Sequence, residues 1–201
     1  MRSEIIDQAI ALFLKFGFKT VTMDEIAHHM RISKKTIYTN FPNKEQLVED
    51  CANKHFEYII GRIQTVSHQA KDPIIGLYML KKEATQHLSN EQNSPQYQLQ
   101  KFYPKIYHEL RKKEFKALGG LFANSIQKGI ETGLFRSDID VDFVTRIFFN
   151  GIRGITDIEL FPIDKYKLDL LMISFSEYHL RAICTPTGIE KLVKYKQELN
   201  L

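Results

Sequence analysis

Cysteine and long hydrophobic runs are scarce in this sequence. Cys51 and Cys184 are the only two cysteines, and their wide separation forms neither a metal-ligand spacing nor a disulfide framework, which fits a reducing cytosol. No apolar run approaches the length of a membrane span. The N-terminus, Met1-Arg2-Ser3-Glu4, runs straight into an amphipathic pattern with acidic residues, unlike a signal or transit peptide. We therefore expect a cytoplasmic protein.

Motifs of enzymatic chemistry are absent as well. There is no nucleophile motif, phosphate-binding loop or dinucleotide fingerprint. The acidic run 138–142 resembles the start of a calcium loop, but Phe143 replaces the glycine at its sixth position and Phe149 replaces the glutamate at its twelfth. These carboxylates fit a helix N-terminus better. We expect no enzymatic activity, no catalytic residue, no metal and no cofactor.

Basic charge is also in short supply overall. The 201 residues carry a net charge of only +4, so bulk charge is a weak argument for nucleic acid, whereas 43% hydrophobic residues are ample for a core. The charge is instead placed locally, because residues 31–44 contain four cations and no acid while residues 1–60 balance overall. A local basic patch suits a protein that contacts one segment of a DNA groove.

What the sequence has throughout is helical periodicity. Residues 5–16 carry one apolar stripe that Gly17 can end in a left-handed conformation. Thr22-Met23-Asp24-Glu25 forms a capping box at the start of a second helix. Ser33 caps a third helix and Asn43 a fourth. There is no credible strand alternation, so we predict an all-α protein of about nine or ten helices.

The remainder of the chain predicts six further helical stretches. Ser89–Pro95 reads as a polar loop. Pro104 and the Gly119-Gly120 pair should break or bend what would otherwise be very long helices. The predicted stretches lie near 74–88, 96–103, 105–132, 141–158, 165–184 and 188–199.

Two lysines in the first turn of the third helix point to an external anion. Lys34 and Lys35 follow the capping Ser33 directly, and nothing within the segment 33–41 neutralises them. A helix N-terminus disfavours cations by about 0.3–1 kcal/mol each. Either this is a solvated charged turn or an outside anion completes the site, and nucleic acid phosphate is the commonest such anion.

Residues 22–41 meet the requirements of a helix-turn-helix. Two short helices must cross closely, and Ala27 supplies a small residue at the crossing. Apolar residues must fill both sides, and DNA-bonding groups must lie on the outer face of the second helix. The apolar residues are Ile26, Met30, Ile32, Ile37 and Phe41. The outer-face residues are Lys34, Lys35, Thr36, Tyr38 and Thr39.

Residues 5–48 resemble the DNA-binding domain of the TetR family of bacterial regulators. One departure is Arg31, which stands in the turn where the family usually has glycine and which would bring a cost to a left-handed backbone. The resemblance implies a three-helix helix-turn-helix DNA-binding domain, residues 1–46, joined to a larger helical effector-binding and dimerisation domain, residues 47–201. The matching residues are Ala9, Leu12-Phe13, Gly17-Phe18, Thr22 to Ala27, Ile32 to Tyr38 and Phe41 to Leu47.

Side-chain chemistry and the resemblance together assign the DNA contacts. Lys34 and Lys35 are candidates for phosphate or guanine contact, and Thr36 and Thr39 for a thymine methyl or a phosphate. The resemblance implies that Tyr38 hydrogen-bonds a phosphate. Lys44, in the first turn of the fourth helix, should meet a phosphate together with free backbone N–H groups, and Thr22, at the start of the second helix, is a candidate for the same contact. An ordinary solvated side chain or cap is the alternative for each.

The C-terminal part is rich in aromatic residues. In a helical domain most of them are core, but some can line an apolar cavity between helices. TetR-like proteins commonly bind small molecules in this domain, so the resemblance implies a small apolar effector. The candidate lining residues are Phe102, Tyr103, Tyr107, Phe122, Phe148, Phe149 and Phe175.

Segments 141–158 and 165–184 carry apolar stripes, and glycines in the first permit close approach. Two such helices from each subunit would form a four-helix bundle, the dimer arrangement typical of the family, whereas burial within one subunit is the alternative. The candidate interface residues are Phe148, Gly151, Ile155, Leu168, Leu171, Met172, Phe175 and Tyr178.

We therefore expect a homodimeric DNA-binding transcriptional regulator, a ligand-responsive repressor on a palindromic operator. One alternative is a DNA-bound adaptor controlled by a protein partner, which a packed, cavity-free C-terminal core would favour. Another is a helical interaction protein with a degenerate domain that binds no DNA.

Overall fold

Helices account for nearly all of the regular structure. The structure, a computed structural model, describes residues 1–70, 72–77 and 95–198. Within these ranges it contains nine named helices, a helical turn at 73–77 and no named strand. No helix in the described ranges is long and apolar enough to cross a membrane. The helices are α1 (Arg2–Phe16), α2 (Met23–His29), α3 (Lys34–Asn40), α4 (Lys44–Gln69), α5 (Pro95–Phe102), α6 (Pro104–Glu131), α7 (Val141–Ile155), α8 (Leu168–Ile183) and α9 (Pro186–Glu198).

The N-terminal helices begin at the caps that the sequence predicts. Thr22 and Glu25 form the complete capping box of α2. The Ser33 hydroxyl accepts a hydrogen bond from the Thr36 N–H, and the Asn43 amide oxygen accepts one from the Gln46 N–H at 2.9 Å. Each cap satisfies N–H groups that have no partner in the first turn of a helix. The predicted starts of α2, α3 and α4 are therefore confirmed.

The chain divides into two compact units. The first comprises Met1–Ile59 and Glu91–Lys113, and the second comprises Ile60–Asn90 and Glu114–Leu201. The predicted domains, residues 1–46 and 47–201, separate DNA binding from effector binding and dimerisation, whereas these units are defined by packing. The predicted domain boundary therefore stays a prediction. The first unit is built on one apolar cluster from α1 to α4, which Leu99 and Ile106 also join.

A buried glutamine ties α5 to the loop after α1. Gln98 is almost wholly buried, and its side-chain oxygen accepts the Lys19 N–H at 3.0 Å. Gly17 has a φ of 86°, and a Cβ there would lie only 2.1 Å from Nε2 of Gln98. Glycine is therefore required at position 17 both by its backbone angle and by the amide packed against it.

The second unit pins the α6–α7 loop to the junction of α8 and α9. Phe135 and Cys184 form an isolated antiparallel bridge, and Thr185 donates its N–H to the Leu134 carbonyl at 3.0 Å. A Cβ on Gly188 would lie 2.1 Å from that same carbonyl oxygen. The start of α9 can approach the loop only because residue 188 has no side chain.

Both cysteines are free and buried. Cys51 belongs to the first unit and Cys184 to the second. Burial raises the pKa of the Cys51 thiol to about 12 and that of Cys184 to about 11. Both side chains therefore remain protonated thiols at neutral pH, which leaves them unreactive parts of the core.

Of the two positions predicted to break or bend a helix, Pro104 does separate two helices, whereas the Gly119-Gly120 pair causes no break. Pro104 separates α5 from α6 as expected, and Asp140 caps α7 by accepting the Phe143 N–H. However, α6 continues through Gly119 and Gly120 without interruption. Glycine costs a helix about 1 kcal/mol relative to alanine, which tertiary packing of a long helix offsets. Of the helix predicted near 74–88, residues 74–77 are helical and residues 78–88 lie outside the described residues, as does most of the loop predicted at 89–95.

Candidate functional site

The turn between α2 and α3 brings these two helices together over a shared core. Ile26, Ala27 and Ile37 are buried at the crossing. The Ile32 N–H reaches back to the Ala27 carbonyl at 3.0 Å. In this turn Arg31 has a φ of 55°, the left-handed conformation that the family usually assigns to glycine. An L-residue adopts it at a cost of about 1–2 kcal/mol, so the turn keeps its geometry without the glycine.

The outer face of α3 presents polar side chains to solvent. Lys34, Lys35, Tyr38 and Thr39 are exposed, while Thr36 is half-buried. The Thr36 and Ser33 hydroxyls are hydrogen-bonded to each other at 2.8 Å. The Thr39 hydroxyl donates to the Lys35 carbonyl at 2.7 Å, which leaves its lone pairs and methyl group facing outward. The outward-facing side chains between Lys34 and Thr39, which exclude the buried Ile37, are called the α3 face below.

The two lysines at the start of α3 differ in their environment. Lys34 forms an ion pair with Asp24 of α2, and the hydrogen bond to that carboxylate raises the pKa of Lys34. As expected, no residue of the segment 33–41 neutralises Lys34, but the crossing of α2 and α3 brings Asp24 to it from outside the segment. Within the described residues, Lys35 has no ion pair or side-chain hydrogen bond.

Lys44 and Thr22 each form hydrogen bonds near the start of α2, with different partners. The Lys44 ammonium donates to the Lys19 carbonyl at 3.2 Å, and burial lowers the pKa of Lys44, an effect that Glu25 opposes. The Thr22 N–H and hydroxyl both donate to the Glu25 carboxylate, at 2.6 and 2.9 Å. Because that carboxylate already occupies the donors of Thr22, a phosphate would have to displace it.

Arg2 supports the end of α3 and was missed by sequence reasoning. Its guanidinium donates to the Asn40 carbonyl, pairs with Asp50 at 2.6 Å and lies 4.2 Å from the centre of the Phe41 ring. A cation at a helix C-terminus stabilises the helix dipole. The partners lie 38 and 48 residues away along the chain, so no local pattern could have indicated them.

The second unit contains an apolar cavity of about 70 Å³. Its lining comes from α4, the turn at 73–77, α6, α7 and α8. Glu114 is the one charged side chain among the described lining residues. The other lining residues are Ile63, Leu77, Leu118, Leu121, Phe122, Phe148, Phe149, Ile152 and Met172.

Three of the predicted pocket residues line this cavity: Phe122, Phe148 and Phe149. Three others do not, because Phe102, Tyr103 and Tyr107 belong to the first unit. Tyr103 and Tyr107 pack against the core of that unit, and Lys19 lies over the Phe102 ring at 5.2 Å. Leu99, Tyr103 and Ile106 recur at helical spacing, so this stripe serves the first core and not a cavity.

Phe175 fills a notch between α7 and α8. A Cβ on Gly151 would lie 2.1 Å from Cζ of Phe175, so the two helices meet closely here. Of the predicted interface residues, Met172 is buried inside the subunit and lines the cavity, whereas Tyr178 is 73% exposed. The residues between these extremes are half-buried: Phe148, Gly151, Ile155, Leu168, Leu171 and Phe175.

His179 is a buried polar side chain beside the cavity. It is only 5% exposed, and its Nε2 has no hydrogen-bond partner within the described part of the chain. Burial lowers the pKa of His179 to about 4, so the ring is neutral at physiological pH. An unsatisfied buried group costs about 1–3 kcal/mol, a cost that a purely structural residue would avoid.

Comparison with known proteins agrees with this architecture. Residues 5–51 match the family model for bacterial regulatory proteins of the tetR family. The HTH-type transcriptional repressor KstR2 of Mycolicibacterium smegmatis is 30% identical over 151 residues, which cover 72% of each chain.

Solved structures share the same fold. A transcriptional regulator from Cytophaga hutchinsonii superposes with a TM-score of 0.74 at 22% identity, covering 91% of this chain and 98% of its own. A regulator from Saccharomonospora viridis in complex with choline gives a TM-score of 0.71 at 20% identity, covering 92% and 97%. Together with the helix-turn-helix geometry, the match to KstR2 shows that this chain belongs to the TetR family and is a DNA-binding transcriptional regulator.

Proposed function

We propose that this regulator is a ligand-responsive repressor that binds a palindromic operator as a homodimer, with α3 in the major groove. The observation that carries the DNA contact is the α3 face. It exposes Lys35, Tyr38 and Thr39 on consecutive turns. The two turns of α3 contain no acidic residue. An exposed ammonium without an ion-pair partner is free to bind a phosphate or the O6 and N7 atoms of guanine.

The remaining contacts take roles that their surroundings support. Lys34 binds DNA after leaving Asp24, and Lys44 offers its ammonium at the start of α4, where free N–H groups also attract phosphate. Thr36 and Thr39 offer methyl groups and hydroxyl oxygens, and Tyr38 offers its phenol. Thr22 is the weakest of the candidates because Glu25 occupies its donors.

The homodimer is proposed from the exposed apolar side chains of α7 and α8. Phe143, Ile147, Leu170 and Tyr178 are all large, apolar and solvent-exposed in the single chain. On α8, Leu170 and Tyr178 lie opposite the side that carries the buried Met172, Ser176 and His179. Two helices with such outward faces bury them by pairing with a second copy in a four-helix bundle.

The cavity favours control by a small ligand over control by a protein partner. A packed core without a cavity would favour the adaptor alternative, whereas the second unit encloses about 70 Å³ of apolar space. The S. viridis relative binds choline, which at 20% identity says nothing about the ligand of this chain. A ligand that binds one of two conformations better shifts the population toward it and so changes DNA affinity.

The experiment that tests the DNA contact starts with selection of bound fragments from a genomic library. Affinity for a selected fragment is then measured by fluorescence anisotropy over a range of salt concentrations. Lys35→Ala should weaken binding and lower the slope of log affinity against log salt by about 0.9, the share of one phosphate contact. Lys34→Ala should have a smaller effect because Asp24 already neutralises that ammonium.

The control is Lys194→Ala, which removes an equal charge from a lysine of α9 that is paired with Glu198 at 3.9 Å. It should leave affinity and slope unchanged. If Lys35→Ala binds like the unaltered protein at every salt concentration, the assignment of the α3 face is wrong. If no fragment is selected at all, the proposed repressor function fails as a whole.

A further inference from the structure

The His179 ring, whose Nε2 has no partner among the described residues, packs against two phenylalanines that line the cavity. The His179 ring is 5.1 Å from the ring of Phe148 and 6.2 Å from that of Phe122, measured between centroids. Both phenylalanines line the cavity. The same two rings therefore touch the empty space on one side and the buried imidazole on the other.

Among the described residues around His179, none offers its Nε2 a conventional hydrogen-bond partner. Phe175 is its third aromatic neighbour, at 6.1 Å, so the imidazole is enclosed by phenyl rings on several sides. The nearby Ser176 hydroxyl donates to the Met172 carbonyl at 2.7 Å. A polar atom held in this way within an apolar cluster is what a binding site uses to fix the orientation of a mostly apolar ligand.

We propose that the second unit binds a neutral ring compound that carries a single hydroxyl group, with the hydroxyl hydrogen-bonded to Nε2 of His179 and the ring seated among Phe122, Phe148 and Phe149. This inference rests on the proposed ligand response and specifies the chemistry of that ligand. A hydroxyl can both donate and accept, so it satisfies either tautomer of a neutral imidazole, whereas a carbonyl satisfies only one.

Charge disfavours an anionic ligand at this position. The neutral imidazole gives a carboxylate no cation to pair with, and Glu114 on the lining repels it. The walls are otherwise hydrocarbon, which favours a ring with little polar surface. Three phenylalanines of the lining, Phe122, Phe148 and Phe149, offer aromatic contacts that suit a ring compound.

The cavity is too small for a ring compound as it stands, so binding requires a lining side chain such as Phe148 to move. The space of about 70 Å³ is roughly half of the ~150 Å³ that holds benzene in an engineered apolar cavity. Phe148 is half-buried, and it touches both the cavity and His179. We therefore expect Phe148 to turn aside when the ligand binds, since it is the lining ring nearest to His179. The shifted ring would press on Phe175, 5.6 Å away, in the notch over Gly151.

The test compares phenol with toluene, which replaces the hydroxyl by a methyl group of similar size. Binding is followed through the Met172 methyl resonance in protein labelled at its five methionines, assigned with Met172→Leu. Both probes should shift Met172 and leave Met23 and Met30 of the first unit unmoved. His179→Leu should lower the phenol-to-toluene affinity ratio by about three- to tenfold, the value of one neutral hydrogen bond.

Two further measurements keep the inference open to refutation. His179→Gln, which retains hydrogen-bonding atoms, should restore much of the ratio. In the unaltered protein, the Nε2 nitrogen resonance should move with phenol and stay in place with toluene, which requires no variant to fold.

Several outcomes would overturn the inference. An unchanged ratio in His179→Leu shows that the histidine does not read the hydroxyl. A silent Met172 resonance shows that the cavity does not take this class of compound. Tighter binding of benzylammonium than of either probe shows that Glu114 reads a cation instead. None of these measurements uses DNA, so their result stands apart from success or failure of operator selection.

Discussion

At the scale of single residues, two side chains occupy positions that lower the stability of the folded protein. Arg31 holds a left-handed backbone without being glycine, and His179 buries a nitrogen without a partner in the described structure. Each costs about 1–3 kcal/mol. Costs of this kind concentrate where a protein binds something, and here one lies in the helix-turn-helix and the other beside the cavity.

His179 should make the stability of the protein depend on pH in a defined window. The unfolded histidine takes up a proton near pH 6.5, but the buried one does so only at about 4. Between these values the unfolded chain binds more protons, so the free energy of unfolding falls as the pH falls, by up to about 3 kcal/mol below pH 4. Urea unfolding at pH 7, 5.5 and 4 measures this loss.

The comparison variant is His179→Leu, in which the other titrating groups remain and therefore cancel in the difference. The stability of the two proteins should diverge steadily as the pH is lowered from 6.5 to 4. A difference that stays constant across this range would contradict the burial of a neutral imidazole.

Residue-level prediction from sequence works where the partners are close along the chain. Thr22 with Glu25 and Ser33 with Thr36 lie three residues apart, so their caps follow from spacing alone. Asp24 with Lys34 and Gln98 with Lys19 meet only after the helices pack. This is why the sequence indicates the existence of the α3 face but not that one of its two lysines is already neutralised.

At the scale of helices, close approach depends on the absence of a side chain at a few glycines. The sharpest case is Gly188, where a Cβ would meet the backbone carbonyl of Leu134 at 2.1 Å. A backbone atom cannot turn aside as a flexible side chain can. The start of α9 and the loop before α7 are thus held in register by backbone contact.

Gly188→Ala should lower the free energy of unfolding by about 1–3 kcal/mol, the usual cost of overpacking. The matched control is Gly120→Ala within α6, where a Cβ would meet nothing within 4 Å. That variant should instead gain up to about 1 kcal/mol from helix propensity. Urea unfolding with an unchanged m-value measures both. Equal effects of the two substitutions would show that α9 does not press on the loop.

Glycines within helices also show why the sequence predicts some features of a helix better than others. All three glycines lie within helices, but only Gly151 has a ring from another described helix, that of Phe175, packed against it. The sequence does not distinguish Gly151 from Gly119 and Gly120. The difference is made by neighbours from other helices. Pro104 was predictable because a proline ends a helix by its own covalent structure.

At the scale of the whole molecule, the proposed dimer makes the clearest prediction. Leu170→Glu combined with Tyr178→Glu should yield monomers in sedimentation, because the two side chains are 56% and 73% exposed in the single chain and the charges would be buried in the bundle. Leu171 and Phe175 are less suitable because both are half-buried within the subunit.

The control for the dimer test is Val193→Glu on α9, a partly exposed apolar position on a different helix. It should sediment as the unaltered protein does. Dimers that persist in the double variant would place the interface on another surface. Circular dichroism should confirm that all three proteins keep their helical content.

The ion pair between Asp24 and Lys34 has a consequence for how the regulator finds its operator among random DNA. If Lys34 binds a phosphate as proposed, Asp24 competes with that phosphate for the same ammonium whatever the base sequence, and so weakens binding to all sequences alike. The contacts proposed for Lys35 and Thr39 would be unaffected by this competition, because Asp24 pairs with Lys34 alone. Non-specific sites outnumber operators by a factor of about 10⁶ or more. Under this proposal, the carboxylate of Asp24 would speed dissociation from non-specific DNA and so shorten the time that the protein needs to reach an operator.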